Sequence, residues 1–171
     1  MNERFILGFY KTLVILRDYL SEFVVGGGWA PFLYYRYLFN DRQREPVFTR
    51  DIDLLVKPKI PIIGQKTMDQ LLVEAGFKTG FKSRENPPIV HYEGTIEGID
   101  VEIEFLTDQT GSRPEVVLKV QEGLHAEALR YVSLLVENIL VLTIDDTGLI
   151  DAPSPLTVKV PTPAAYLFQK G

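Results

Sequence analysis

The stretch Phe48-Thr49-Arg50-Asp51-Ile52-Asp53-Leu54-Leu55-Val56 constrains the fold of this chain more than any other. It reads as a buried strand that carries two acids two residues apart. Residues i and i+2 of a strand point to the same face, so Asp51 and Asp53 project side by side while Leu55 and Val56 continue the apolar run inward. Two like charges held this close repel, and each is costly to strip of water. A fold keeps such a pair where it is solvated or where a cation sits between the oxygens. The arrangement is a natural half-site for Mg²⁺, which takes carboxylate oxygens and leaves positions open for phosphates. Solvated acids at a strand end are the commoner origin of an isolated Asp-x-Asp, so the remaining chain decides between the two.

Upstream, Phe23-Val24-Val25 reads as a short strand that breaks on Gly26-Gly27-Gly28-Trp29-Ala30-Pro31, with a helical stretch following through Phe39. Glycines at a strand-to-helix turn let backbone N–H groups approach a phosphate. No Gly-Lys-Ser/Thr follows, so this is not a P-loop, and the dinucleotide fingerprint is absent as well. A tight turn explains the cluster equally well. Asn40 to Pro46 is a charged loop that returns the chain to the Asp-x-Asp strand.

The other segments supply the frame. Phe5, Ile6, Phe9, Leu13, Leu16 and Leu20 recur at helical spacing and predict an amphipathic helix over residues 3–20. Thr67 to Ala75 predicts a short helix stopped by Gly76. Phe77 to Phe81 reads as a short strand and Lys82 to Pro88 as a turn. Ile89 to Thr95 and Ile99 to Leu106 read as a hairpin around Glu97-Gly98. In its second arm Ile99, Val101, Ile103 and Phe105 alternate with Asp100, Glu102 and Glu104. These acids are either a solvated outer face or a source of a third metal ligand. Thr107 to Pro114 is a polar loop, Glu115 to Val120 a strand, and Leu124 to Val136 fits a helix, with Leu124, Ala128, Val132 and Leu135 as one stripe. Its valines leave a strand open. Ile139 to Ile144 and Leu156 to Val160 are strands, and Pro163 opens a helix at its first turn. That helix, residues 163–171, reads as the start of a longer helical region. His91 and His125 are isolated in sequence, which suits structural or surface roles.

The length of 171 residues and an apolar content of 46% fit a single domain over residues 1–171 with a real core. A net charge of −5 argues against a broad electrostatic grip on nucleic acid or on an anionic membrane. With no cysteine, disulfides, thiolate metal sites and thiol catalysis are excluded. The N-terminal residues lack a signal-peptide layout and no apolar run is long enough to span a bilayer, so a cytoplasmic location is expected.

Taken in order, Val-Val-Gly-Gly-Gly-Trp-Ala at 24–30, Thr-Arg-Asp-Ile-Asp-Leu at 49–54 and Ile-Glu-Phe-Leu at 103–106 resemble the polymerase-β-like nucleotidyltransferase superfold. The form is closest to AbiEii-type bacterial nucleotidyltransferase-like proteins. The segment Val158 to Ala164 with Lys170 is similar to the entry into that family's helical C-terminal region. The resemblance implies an α+β fold, a mixed sheet with helices packed mainly on one side. It implies a Mg²⁺-dependent enzyme that moves a nucleoside monophosphate from a nucleoside triphosphate to a hydroxyl on protein, RNA or a small molecule. On that reading Gly27, Gly28 and Trp29 form the nucleotide turn, and Thr49 and Arg50 flank the phosphates. Asp51, Asp53 and Glu104 hold two Mg²⁺ ions, with Mn²⁺ as a substitute and Glu102 as the reserve ligand. One ion would activate the acceptor hydroxyl and the other stabilise pyrophosphate. Two departures stand out: a third glycine and Trp29 replace the small hydroxyl residue often found after the turn, and the third acid is Glu rather than Asp. The missing hydroxyl residue and the short C-terminal helix keep a second expectation open, a module of the same fold that binds a nucleotide or a partner protein, as in a toxin–antitoxin pair.

Overall fold

The computed structural model of the protein describes residues 3–44, 49–81, 90–109, 111, 116–145 and 155–170. The first helix, α1 (Glu3–Ile15), buries Ile6, Phe9 and Leu13 of the predicted stripe, with Phe5 half-buried, and buries Tyr10 beside them. The expected helix to residue 20 tightens instead into a 3₁₀ turn at Arg17–Tyr19. This turn sends Tyr19 inward, where its hydroxyl donates to the Lys66 carbonyl at 2.7 Å and accepts from the Ile63 amide at 2.9 Å. After β1 (Phe23–Val25) and the glycine turn, α2 (Trp29–Leu33) runs on into one wide π turn at Tyr34–Leu38. The Phe39 amide there reaches back to the Tyr34 carbonyl, 2.9 Å away.

The mixed sheet is built from β2 (Asp51–Val56), β3 (Lys78–Phe81), β4 (Val90–Ile96), β5 (Ile99–Asp108), β6 (Val117–Gln121), β7 (Leu124–Leu129), β8 (Ile139–Ile144) and β9 (Leu156–Pro161) together with β1. Its order is β3-β4-β5-β2-β1-β9-β8. Strand β5 runs parallel to β2, and β1 lies antiparallel to β2 and parallel to β9. Strand β7 takes up the edge of β5 beyond the reach of β4 and pairs with β6 on its other side. The expected α+β fold with a mixed sheet is what the chain adopts.

Parity along the strands divides the two faces. Ile52, Leu54, Val56, Ile103 and Phe105 face the main core, which contains α1, α2 and the buried residues of α3 (Met68–Glu74). Phe9 stacks on Trp29 in that core, with ring centroids 4.1 Å apart and planes 5° from parallel. Val24 and Leu55 face the other way, under α4 (Val132–Glu137) and Ala165 of α5 (Pro163–Lys170). Among the described residues no helix is long and apolar enough to cross a membrane.

Helix α3 begins on a capping box: Thr67 accepts from the Gln70 amide at 3.1 Å, and Gln70 accepts from the Thr67 amide at 2.9 Å. Thr67→Ala removes one half of this exchange. It is expected to lower stability by about 1 kcal/mol, read as a lower thermal midpoint.

The helix expected over 124–136 is corrected. The chain forms β7, turns at Tyr131 (φ 67°) and only then makes α4. Leu124, Ala126 and Ala128 are buried in alternation, a two-residue period that serves the first six residues as well as the helical one. The neighbouring strand decides, because Ala128 pairs with Thr107. The same pairing turns Thr107 and Asp108, expected in a loop, into the end of β5. The turn expected at 82–88 lies outside the described residues.

Candidate active site

Two parallel strands build the site. Their register sets Asp51 beside Glu102 and Asp53 beside Glu104, at the ~4.8 Å spacing of neighbouring strands. All four acids are partly buried and share one face of the sheet. Further along the same rows come Leu55 and Leu106, which pack under α4. The acids therefore stand at the open end of a face whose other end is apolar. Ile52, Leu54, Ile103 and Phe105, on the reverse side, anchor both strands in the core.

The glycine turn closes on this block from the β1 side. The Gly26 amide donates to the Asp53 carbonyl at 2.9 Å. Gly27 sits at φ +56°, and a Cβ there would stand 2.1 Å from Asp53 Oδ2. A Cβ on Gly28 would stand 2.5 Å from Thr49 Oγ1. Bare backbone is therefore what lets the turn lie directly on the Asp53 carboxylate and the Thr49 hydroxyl. Thr49 also donates to the Asp51 carbonyl at 3.4 Å.

On the β5 side the row continues outward. Glu102 is level with Glu93 of β4, and Glu93 with Lys78 of β3. Lys78, Glu93, Glu102 and Asp51 line a cleft of about 720 Å³ together with Arg50 and Asp100. The Arg50 guanidinium lies over the Phe5 ring, 5.7 Å from its centroid. Helix α5 stands on the remaining side. Burial first, and then the negative charge of Asp53, push the Tyr166 hydroxyl above its usual pKa. Tyr34, edge-on to Tyr166 with centroids 6.1 Å apart, is likewise pushed up by burial and by Tyr166. Both phenols therefore stay neutral.

The structure brings Asp51, Asp53, Glu102 and Glu104 together with Gly27, Gly28 and Thr49. Arg50 lies at the rim of the cleft. Trp29 is a correction: its indole is buried against Phe9 and Phe32, so its side chain serves the core and leaves only main chain to the turn. The donors present suit a divalent cation. The set is all carboxylate oxygen, which suits a hard ion such as Mg²⁺ and not a soft metal, and the strand register aligns the four acids. Among the described residues, however, no three acid or histidine side chains are already gathered around one point. The donors fit in type and register, and an ion would complete the convergence.

Sequence reasoning did not bring His91 to these acids. Its ring is buried, with Nε2 2.6 Å from Glu93 Oε1 and 3.9 Å from Glu102 Oε1. The signal was present: His91 and Glu93 share a strand face, and the Ile96-to-Ile99 turn fixes Glu93 opposite Glu102.

Comparison with known families matches residues 18–171 to a family described as nucleotidyltransferase. No curated protein and no solved structure matches the chain. The matched span takes in the glycine turn, both acid-bearing strands and α5. The chain belongs to the nucleotidyltransferase family.

Proposed function

We propose that the protein transfers a nucleoside monophosphate from a nucleoside triphosphate to a hydroxyl group, with Mg²⁺ as cofactor. The observation that carries this reading is the aligned carboxylates of Asp51, Asp53, Glu102 and Glu104, of which Asp53 lies directly against the bare backbone of Gly27. Asp51, Asp53 and Glu104 would hold two Mg²⁺ ions, with Glu102 in reserve. Bound there, Mg²⁺ supplies neutralisation of triphosphate charge and a lowered pKa for the acceptor hydroxyl.

The chain's own residues divide the work by side. Gly27 and Gly28 offer main chain to the triphosphate on the β1 side, and Thr49 and Arg50 flank it. The acceptor enters from the β5 side, where the cleft leads along Glu102 and Glu93 toward Lys78. An attacking and a leaving oxygen on opposite sides of one phosphorus need this two-sided layout. Glu104, level with Asp53, would take the acceptor proton. Asp51, Glu93, Asp100 and Glu102 outnumber the two cations of the cleft, which disfavours an acceptor rich in phosphate.

Titration calorimetry with ATP, GTP, CTP and UTP, with and without Mg²⁺, tests the reading. At least one triphosphate is expected to bind only when Mg²⁺ is present. A folded protein that binds none of the four removes the enzyme reading. The second reading, an AbiEii-related module that binds nucleotide or a partner protein without turnover, is favoured by one observation: the acids are not pre-gathered around a metal position among the described residues. Binding without pyrophosphate release would support it.

A further inference from the structure

Apart from the paired acids, His91 is the most unusual side chain on this face. It is 5% exposed, and its ring lies against the bare Cα of Gly80, where a Cβ would stand 2.8 Å from Nε2. Strand β3 thus leaves room for the imidazole by lacking a side chain. Ionised carboxylates only accept, so the hydrogen toward Glu93 Oε1 resides on Nε2. Nδ1 is buried with no hydrogen-bond partner among the described residues. A buried polar atom left so is unfavourable, and a leucine would fill such a place without that penalty. Among the described residues the ring's hydrogen bond is to Glu93, Glu102 lies 3.9 Å from the same nitrogen, and Glu102 is level with Asp51.

We propose that His91 is a positioning residue, which holds the Glu93 carboxylate beside Glu102 on the acceptor side of the site. This rests on the nucleotidyl-transfer reading above. Neighbouring carboxylates in one row repel, and the Glu93 side chain is 64% exposed. Without that N–H, Glu93 turns to solvent and leaves the place it holds beside Glu102. The acceptor then meets a carboxylate free to rotate. The triphosphate, held from the β1 side, meets the same surface as before. His91 accordingly controls turnover and not nucleotide affinity. An N–H donor at the Nε2 position is all that is required, whatever the ring's protonation state.

The test compares wild type, His91→Gln and His91→Leu. Glutamine places an N–H near the position of Nε2, whereas leucine fills the volume without a donor. Pyrophosphate release is measured at saturating Mg²⁺ and the best-binding triphosphate, with glycerol as hydroxyl probe, beside triphosphate affinity and the thermal midpoint. His91→Leu is expected to slow release by about 10-fold, as loss of a carboxylate-orienting partner does elsewhere. Its triphosphate affinity should stay within about twofold of wild type, and His91→Gln should recover most of the rate. Release by His91→Leu at the wild-type rate overturns the proposal. So does an equal loss in both variants with both melting lower, which marks a purely structural ring. A wild type that binds triphosphate but releases no pyrophosphate to glycerol or water overturns it as well. A wild type that binds no triphosphate overturns the parent reading and this one with it.

Discussion

Replacement of Asp53 by asparagine is expected to weaken Mg²⁺-dependent triphosphate binding by roughly 100-fold or more while leaving the fold as stable as before, or slightly more so. The substitution keeps size and one oxygen, so packing against Gly27 is preserved. It removes one of four carboxylates held on adjacent rungs of two strands. In the metal-free protein that charge is a liability, because like charges at this spacing repel. With Mg²⁺ present it becomes a ligand. The thermal midpoint without Mg²⁺ should therefore hold or rise, whereas Mg²⁺ with triphosphate should raise the midpoint of wild type alone, as ligand binding to the native state requires. A variant that responds to Mg²⁺ and triphosphate like wild type would remove Asp53 from the site.

The second large effect is expected at Gly27. Alanine there would adopt a left-handed backbone, φ +56°, at a cost of about 1–2 kcal/mol. Its methyl group would also stand 2.1 Å from Asp53 Oδ2, so the carboxylate must rotate or the turn must shift. Gly27→Ala should thus lower the thermal midpoint and lose triphosphate affinity to an extent comparable with Asp53→Asn. Gly64 provides the control. It has a similar left-handed φ of +71°, but a Cβ on it would meet nothing within 4 Å. Gly64→Ala should carry the backbone strain alone and leave triphosphate affinity unchanged. Equal affinities in the two alanine variants would mean that the glycine turn does not form the nucleotide side of the site.

Much of this site is legible in the chain itself, because strand parity is a property of sequence. Asp51, Asp53, Glu102 and Glu104 alternate with core residues on both strands, and that alternation survives intact. Which acids stand level could not be read, since the β2–β5 register joins segments about fifty residues apart and no turn links them. The 124–136 segment failed for a related reason. Its first six residues satisfy two periods at once, and only the partner strand chooses between them. Trp29 misled because it sits beside the turn glycines in sequence while its ring belongs to the core, stacked on Phe9 of a distant helix. His91 was read as solitary because its carboxylates are brought to it by a hairpin register and not by a motif.

The parallel pairing of β2 with β5 also bears on the order in which a growing chain assembles. Asp51 and Asp53 leave the ribosome well before Glu102 and Glu104, so the two acid rows never face each other in a short nascent chain. They meet only when β5 docks along β2, and that step also seats Ile103 and Phe105 beside Ile52 and Leu54 in the core. Hydrophobic closure on one face thus coincides with charge crowding on the other. A pairing between such distant segments forms late and slowly. Mg²⁺ supplied during refolding is therefore expected to act mainly after β2 and β5 have met, by slowing unfolding more than by hastening folding.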